Sequence, residues 1–506
     1  MASRAVAIIL AGLVAAFVAV PLVAVLNRAG GFATLGAGDW AAVRFTIWQA
    51  FLSAFFSCLL AIPAARALAR RRFWGRDTMV TLLGAPFILP VIVAILGLLA
   101  VFGREGLVSQ GLVAVGLPRL HIYGLHGILV AHVFFNLPLA IRFLLQGWQS
   151  IPTERFRLAA QLNLSSSTIL RVLELPMLRK SLPGAFLVIF VICLSSFAVA
   201  LTLGGGPRAT TVELAIYQAF RFDFDLAKAA TLSILHLMYV GLSAFVLLKI
   251  ADNLSQDVGL GRQAERWDGQ GFLLRQQDRA VLALVFLFLA LPVLSVLWSG
   301  IPHFADLPFS VWTAAGNSLV VAISSAALCM IFAVPLATLH IGQTLALLGF
   351  ALSPLVLGTG LFLIIQPFAN PFEWALPVTC VVNALMSLPF AVRALAPAYV
   401  KAEADYGKLA DNLALQGVAR WRWLILPQLR KPAGFAAGLA AALSMGDLGV
   451  IILFADPQHA TLPLQMYRLM GAYQMETAGA AAALLLALSL GLFWLFDKGG
   501  RHGAAS

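Results

Sequence analysis

The sequence predicts an all-α, polytopic membrane protein of about twelve transmembrane helices, built as two parallel six-helix repeats. Three observations carry this. Of 506 residues, 61% are hydrophobic and 11% charged, with a mean hydropathy of +0.92, whereas a soluble surface needs about 25% charged residues. The apolar residues come in long runs: 5–26, 281–297 and 478–496 hold no charge, and about 20 apolar residues span the hydrocarbon core. Finally, several sequence features recur about 251 residues apart. Period-2 alternation is absent, so the runs read as helices, since in lipid only helices and closed barrels satisfy their backbone.

Taken in order, helices are expected near 5–26, 46–66, 78–102, 126–147, 183–203 and 229–249. A second set is expected near 279–298, 314–339, 344–366, 376–397, 433–454 and 478–496. The first run follows Arg4 but exceeds the length of a signal-peptide core and is read as a retained helix. With both termini in the cytoplasm, cytoplasmic segments carry 26 of the 34 Lys and Arg residues, as the positive-inside rule requires. The tract ARALARRRFWGR at 65–76 is then a cytoplasmic stop signal rather than a nucleic-acid patch, and the net charge of +12 reflects topology. Cys58, Cys193, Cys329 and Cys380 stand singly in apolar runs, without a pairing framework or metal spacing. The eight histidines show no HExxH pattern.

The halves repeat. Pro138 and Arg142 in "FNLPLAIR" return as Pro389 and Arg393 in "MSLPFAVR". "LAAQLNL…LELP" returns as "KLADNLAL…LILP", and Tyr217 returns as Tyr467. Such agreement argues duplication, with an N-terminal repeat at 1–250, a polar cytoplasmic linker at 251–278 and a C-terminal repeat at 279–506. An even number of spans per half makes the repeat parallel, with a pseudo-two-fold axis along the membrane normal and a path between halves. Arg142 and Arg393, at the inner helix ends, snorkel to the interface or meet a cytoplasmic partner.

Each half places a large cytoplasmic loop between its fourth and fifth helices. In the first, Arg157, Leu158 and Ala159 open a segment with Asn163 six residues on, closed by Leu173, Glu174, Leu175 and Pro176. In the second, Lys408, Leu409 and Ala410 precede Ala414, and Leu424, Ile425, Leu426 and Pro427 close it. The spacing is similar to the EAA motif of ABC importer permeases, although Arg157 and Lys408 replace its Glu, and Asn163 and Ala414 its Gly. The physical reading is a helix–turn–helix outside the bilayer. Small residues such as Ala159 and Ala160 admit a partner closely, and a short amphipathic helix around 164–173 or 414–424 enters a groove on it. The plainer alternative is an ordinary loop. G-x-x-x-x-G-K-[ST] is absent, so this chain is expected to bind no cofactor and perform no covalent chemistry, with ATP and Mg held by a separate subunit.

Longer segments carry a more specific resemblance: "VRFTIWQAFLSAFFS" (43–57), "ARALARRRF" (65–73), "GLHGILVAHVFFNLPLA" (124–140), "LAAQLNL" (158–164), "LTLGGGPRATTVELAIYQA" (201–219), "NALMSLPFAV" (383–392) and "LSMGDLGVIILF" (443–454). On these the chain resembles the permeases of bacterial thiamine and thiamine pyrophosphate ABC importers. The resemblance implies a type I ABC importer permease fold in the inner membrane, with one permease chain per complex. It also implies two copies of a cytoplasmic ATPase, one per loop, and a periplasmic thiamine-binding protein. Ferric-iron importer permeases share the fused architecture and stay open as an alternative. An ion-driven secondary transporter leaves the twin loops unexplained, and a membrane enzyme lacks its cluster of catalytic groups.

Candidate substrate residues follow from cost. Asp447 lies in the apolar run "SMGDLGV", where a carboxylate costs about 2.5–3.5 kcal/mol near mid-bilayer. It suits the quaternary thiazolium of thiamine, or else bonds a neighbouring helix. Its repeat partner is Ser196. Phe197 stacks on a flat ring or cation, or packs in the core. Glu213, Tyr217 and Tyr467 lie in segments at the outer mouth and form a gate, a contact for the binding protein, or a plain solvated loop.

Overall fold

The computed structural model describes residues 2–28, 33–83, 88–251, 266, 271–339, 342–343, 346, 349, 352–454 and 459–502. Twenty α-helices run through them, and no strand occurs among the described residues. They are α1 (Ala2–Arg28), α2 (Ala37–Arg70), α3 (Arg76–Leu82), α4 (Val91–Phe102), α5 (Leu107–Ala114), α6 (Leu125–Gln149), α7 (Thr153–Gln161), α8 (Ser166–Ile169), α9 (Leu175–Leu194) and α10 (Phe197–Leu203). Then come α11 (Val212–Arg221), α12 (Leu226–Ala251), α13 (Phe272–Gly300), α14 (Phe309–Ala337), α15 (Pro354–Ile365), α16 (Ala375–Asn412), α17 (Gly417–Arg420), α18 (Leu426–Met445), α19 (Leu462–Gly471) and α20 (Met475–His502).

Ten of the described helical segments are long and apolar enough to cross a membrane. The chain is therefore an all-α, multi-pass membrane protein. Of the remaining anticipated spans, 344–366 contains the short α15, and its earlier residues lie mostly outside the described ones. The span expected at 433–454 is occupied by α18, which stops at Met445 and gives way to turns. The span expected at 183–203 is likewise two helices, α9 and α10, separated at Ser195 and Ser196. The run at 78–102 is split between α3 and α4. Most of the linker lies outside the described residues, and α13 begins at Phe272, so Asp278 belongs to a helix.

The first helix of each half crosses onto the other half. Val14 of α1 joins the large apolar cluster that α14, α16 and α18 form together with α4, α6 and α11, while Leu282 and Val285 of α13 join the cluster formed by α2, α6 and α9. Two glycines make the crossings possible. A Cβ on Gly97 of α4 would collide with the Pro292 backbone of α13, and one on Gly360 of α15 with the Pro21 backbone of α1. Each proline breaks the hydrogen-bond ladder of its own helix, and the bare glycine lets the two backbones touch. The outward faces of α1 and α13 carry exposed Ile8, Ile9, Val20, Leu284, Phe286 and Leu294, as lipid contact demands.

A second pairing recurs in both halves. The Thr46 hydroxyl of α2 accepts the Val212 N–H at the start of α11 (2.9 Å), and the Ser318 hydroxyl of α14 accepts the Leu462 N–H at the start of α19 (2.8 Å). Each satisfies a helix-terminal donor that has no partner within its own helix.

Candidate functional site

The loops between α6 and α9 and between α16 and α18 close with the same turn, although α6 and α7 are separate helices where α16 runs unbroken to Asn412. In the first, α7 ends with the Leu164 N–H donating to the Ala159 carbonyl and the Asn163 N–H to that of Ala160, both at 3.0 Å. In the second, Leu415 donates to Ala410 (2.9 Å) and Ala414 to Asp411 (3.1 Å). These are the paired bonds of a Schellman turn, which needs a left-handed residue at its corner. Asn163 has φ 49° and Ala414 φ 53°. Both replacements for the motif's glycine thus adopt the conformation for which glycine is ordinarily chosen. Asn does so readily, and Ala at a cost of about 1–2 kcal/mol.

The closing Leu-Pro pair shapes the next turn. Pro176 and Pro427 have no N–H, and an ordinary helical turn would drive their rings into the carbonyl four residues back. The backbone widens instead. Residues Leu170–Glu174 and Trp421–Ile425 form single π-turns, with Leu175 N–H reaching the Leu170 carbonyl and Leu426 N–H that of Trp421. The loops therefore carry the same two irregularities at matching places.

Exposure differs from the sequence expectation in one respect. Ala159 and Ala410 are buried, 3% and 2% exposed. Ala159 packs with Phe156 and Ile169 of its own loop, and neither alanine contributes to the exposed surface. Small size there lets the turn close on itself. The outer surface is formed by Leu158, Leu162, Val172 and Leu175 in the first loop and by Leu409, Leu413, Val418, Trp423 and Leu426 in the second, all exposed. Arg157, Asn163, Pro176, Lys408, Ala414 and Pro427 are exposed as well, while Ala160 and Leu164 are half-buried. In the second loop Arg420 bridges Glu403 and Asp411, and these hydrogen bonds, Glu403's foremost, hold the guanidinium's pKa above its usual value.

The breaks in α9–α10 and after α18 form the other site. Ending a helix inside an apolar environment strands carbonyls, and polar side chains gather at both breaks. Gln49 Nε2 donates to the Cys193 carbonyl (2.9 Å). His132 bridges Ser53 (Nδ1, 2.9 Å) and Ser196 (Nε2, 2.7 Å). His236 joins Ser195 (Nε2, 3.3 Å) to the Tyr239 hydroxyl (Nδ1, 2.7 Å). Asn136 Nδ2 donates to the His132 carbonyl (2.9 Å) and lies 3.3 Å from the Cys193 sulfur. The second half repeats the scheme with shorter groups. Asn383, 251 residues after His132, donates to the Ser444 hydroxyl (3.0 Å), which donates to Ser325 (3.0 Å).

Asp447 sits at the second break, partly exposed. Its Oδ1 accepts the Gly449 N–H (3.1 Å), whereas Oδ2 has no hydrogen-bond partner. Glu213 is buried on α11. Its Oε1 accepts from Ser353 of the other half (2.6 Å) and lies 3.5 Å from His236 Nε2, and Oε2 has no partner. It is thus buried across the junction of the halves rather than placed in a solvated loop. Phe197 is buried with its ring edge-on to Tyr217, centroids 5.4 Å apart. Tyr467 is half-buried, and the segment 455–458 just before it lies outside the described residues.

Sequence reasoning located Ser196 and Asp447 but missed Gln49, Ser53, His132, His236, Asn383 and Ser444. For His132 and Asn383, 251 residues apart in otherwise apolar runs, the repeat itself was the available signal. Among the described residues no group of three His, Cys, Asp or Glu side chains is placed to hold a metal ion.

No family model matches the chain. It is similar to several curated proteins over nearly its whole length. It is 39% identical to the thiamine transport system permease protein ThiP of Brucella abortus, across 98% of this chain and 96% of that protein. It is 38% identical to ThiP of Salmonella typhimurium across 92% and 90%, and 37% identical to ThiP of Escherichia coli across 91% and 89%. Identity at that level over both halves, on a chain with this membrane fold, places the protein in the family of thiamine transport system permeases.

Proposed function

We propose that this chain is the membrane subunit of an ATP-driven importer that carries thiamine and its phosphates into the cell by alternating access. The observation that carries the reading is the pair of matched helix–turn–helix loops, each with an exposed apolar surface and a left-handed corner. One cytoplasmic ATPase docks on each loop, and a periplasmic thiamine-binding protein delivers substrate on the opposite face. The termini are cytoplasmic, as the distribution of basic residues favours. The path lies between the repeats 1–250 and 279–506. ATP and Mg belong to the partner ATPase, and closure of its two copies moves both loops and turns the cavity inward.

Within the path, Asp447 is the counter-charge for the thiazolium. Its support is a carboxylate oxygen left without a partner at a helix break, a setting in which charge is costly unless used. Ser196 faces the path from the matching break, with Phe197 behind it. Glu213, Tyr217 and Tyr467 form the gate on the outer side.

The test is uptake of radiolabelled thiamine by cells lacking their own importer, supplied with this chain, its ATPase and its binding protein. ATP-dependent uptake that Asp447→Asn reduces at least ten-fold at equal membrane abundance is expected. Absence of thiamine uptake from an assembled complex would sink the thiamine assignment, and ferric iron would be assayed next.

A further inference from the structure

The two coupling loops are not fastened alike. Glu174, in the π-turn of the first loop, is fully buried, and both carboxylate oxygens are taken. Arg66 Nε from α2 meets Oε2 and Arg266 from the linker meets Oε1, each at 2.7 Å. Arg266 also lies over the Phe156 ring of α7, 4.7 Å from its centroid. Arg66 reaches the Ser166 carbonyl and hydroxyl (both 3.3 Å) at the start of α8. One turn further along α2, Arg70 binds Asp278 of α13, and Arg71 binds its other oxygen, each at 2.6 Å. Two ion-pair clusters on α2, both reaching the Ser166 hydroxyl, thus join the first loop to α2 of its own half, to Arg266 of the linker, and to α13 of the other half.

Among the described residues the second loop lacks a buried carboxylate of this kind, and its ion pairs, Arg420 with Glu403 and Asp411, are part-exposed and lie within α16 and α17. At the repeat offset of 251, Glu174 becomes Ile425, Phe156 becomes Gly407 and Ser166 becomes Gly417. The matched Thr46 and Ser318 pairings set the register of α2 on α14, which places Thr338 where Arg66 stands. Ile425 is buried in an apolar seat, 1% exposed. A buried carboxylate held by two guanidiniums is a directional joint, costly to break because the charge cannot be left alone. An isoleucine seat is non-directional and slides.

We propose that Glu174 and Arg266 are positioning residues that make the first coupling loop a rigid lever, so that the two ATPase contacts are mechanically unequal and the linker is part of the coupling device. This rests on the importer reading above. The stroke delivered to the first loop is passed to α2 and, through Asp278, to α13. The second loop, carried on the unbroken α16 and tied to it by Arg420, has no such ionic link to the other half among the described residues.

The test uses the full complex with ATPase and binding protein in proteoliposomes, measuring substrate transported per ATP hydrolysed, with amide exchange of both loops followed in parallel. Arg266→Ala and Glu174→Gln should lower the ratio at least five-fold and speed exchange at 159–170 without changing it at 410–421. Arg266→Lys should restore at least half of the ratio. Uptake and hydrolysis falling in parallel, equal exchange changes in both loops, or no rescue by lysine would each overturn the proposal. A wild-type complex without ATP-dependent uptake would instead overturn the importer reading, and the exchange measurement would still decide whether Arg266 fastens the first loop.

Discussion

Replacing Ala414 by glycine should tighten the second coupling loop. Ala414 is exposed and held at φ 53°, where its Cβ crowds the backbone. The left-handed conformation costs an ordinary L-residue about 1–2 kcal/mol, and glycine removes that cost. Glycine also loosens the unfolded chain, returning about 0.4–1 kcal/mol. The net gain is about 0.5–1 kcal/mol, which slows local opening about two- to five-fold. The two N–H groups that form the Schellman turn, Ala414 and Leu415, report this directly. Hydrogen exchange of peptides spanning 410–416 in lipid nanodiscs is the assay. Asn163→Gly is the internal control, because Asn already tolerates the left-handed region and should gain little. Ala414→Val should act the opposite way, since a β-branched side chain is a genuine outlier there. The reasoning fails if Ala414→Gly leaves exchange unchanged or faster, or if Asn163→Gly protects its loop as strongly.

Other consequences follow from the same contacts. Gly97→Val drives a side chain into the Pro292 backbone and should cost at least the 1–3 kcal/mol of an overpacked core, seen as a lower melting temperature in detergent. His132→Leu strips the partner from Ser53 and Ser196 and should cost about 1–3 kcal/mol for each stranded group. His132→Asn, which copies the second half, should keep more of the stability in the same melting assay. Asp278→Ala leaves Arg70, whose side chain is 2% exposed, without that partner and should cost about 3–5 kcal/mol. Arg420→Gln, at a pair with side chains 24% and 27% exposed, should cost under about 1 kcal/mol; unfolding in denaturant compares the two.

The sequence by itself determined the class of protein, most of the spans and the kinship of the two loops. Hydrophobic length and loop charge act one segment at a time, so 5–26, 126–147 and 478–496 were legible without any neighbour. The loops were legible because a repeated spacing survives the loss of its usual Glu and Gly. The left-handed angle at Ala414 was hidden, because nothing local favours it and the closing bonds of the turn impose it. The helix breaks at Ser195 and after Met445 were hidden for a related reason. Both segments are apolar enough to continue as helices, and at their breaks other helices bring in Gln49 to the Cys193 carbonyl and His132 and Asn383 to the Ser196 and Ser444 hydroxyls. The basic tract at 65–76 was read as a stop signal, yet tertiary structure also turned Arg66, Arg70 and Arg71 inward onto Glu174 and Asp278. Charge counts alone determine which side of the membrane a segment favours. Only the fold determines which carboxylate each arginine meets, because that depends on residues more than a hundred positions away.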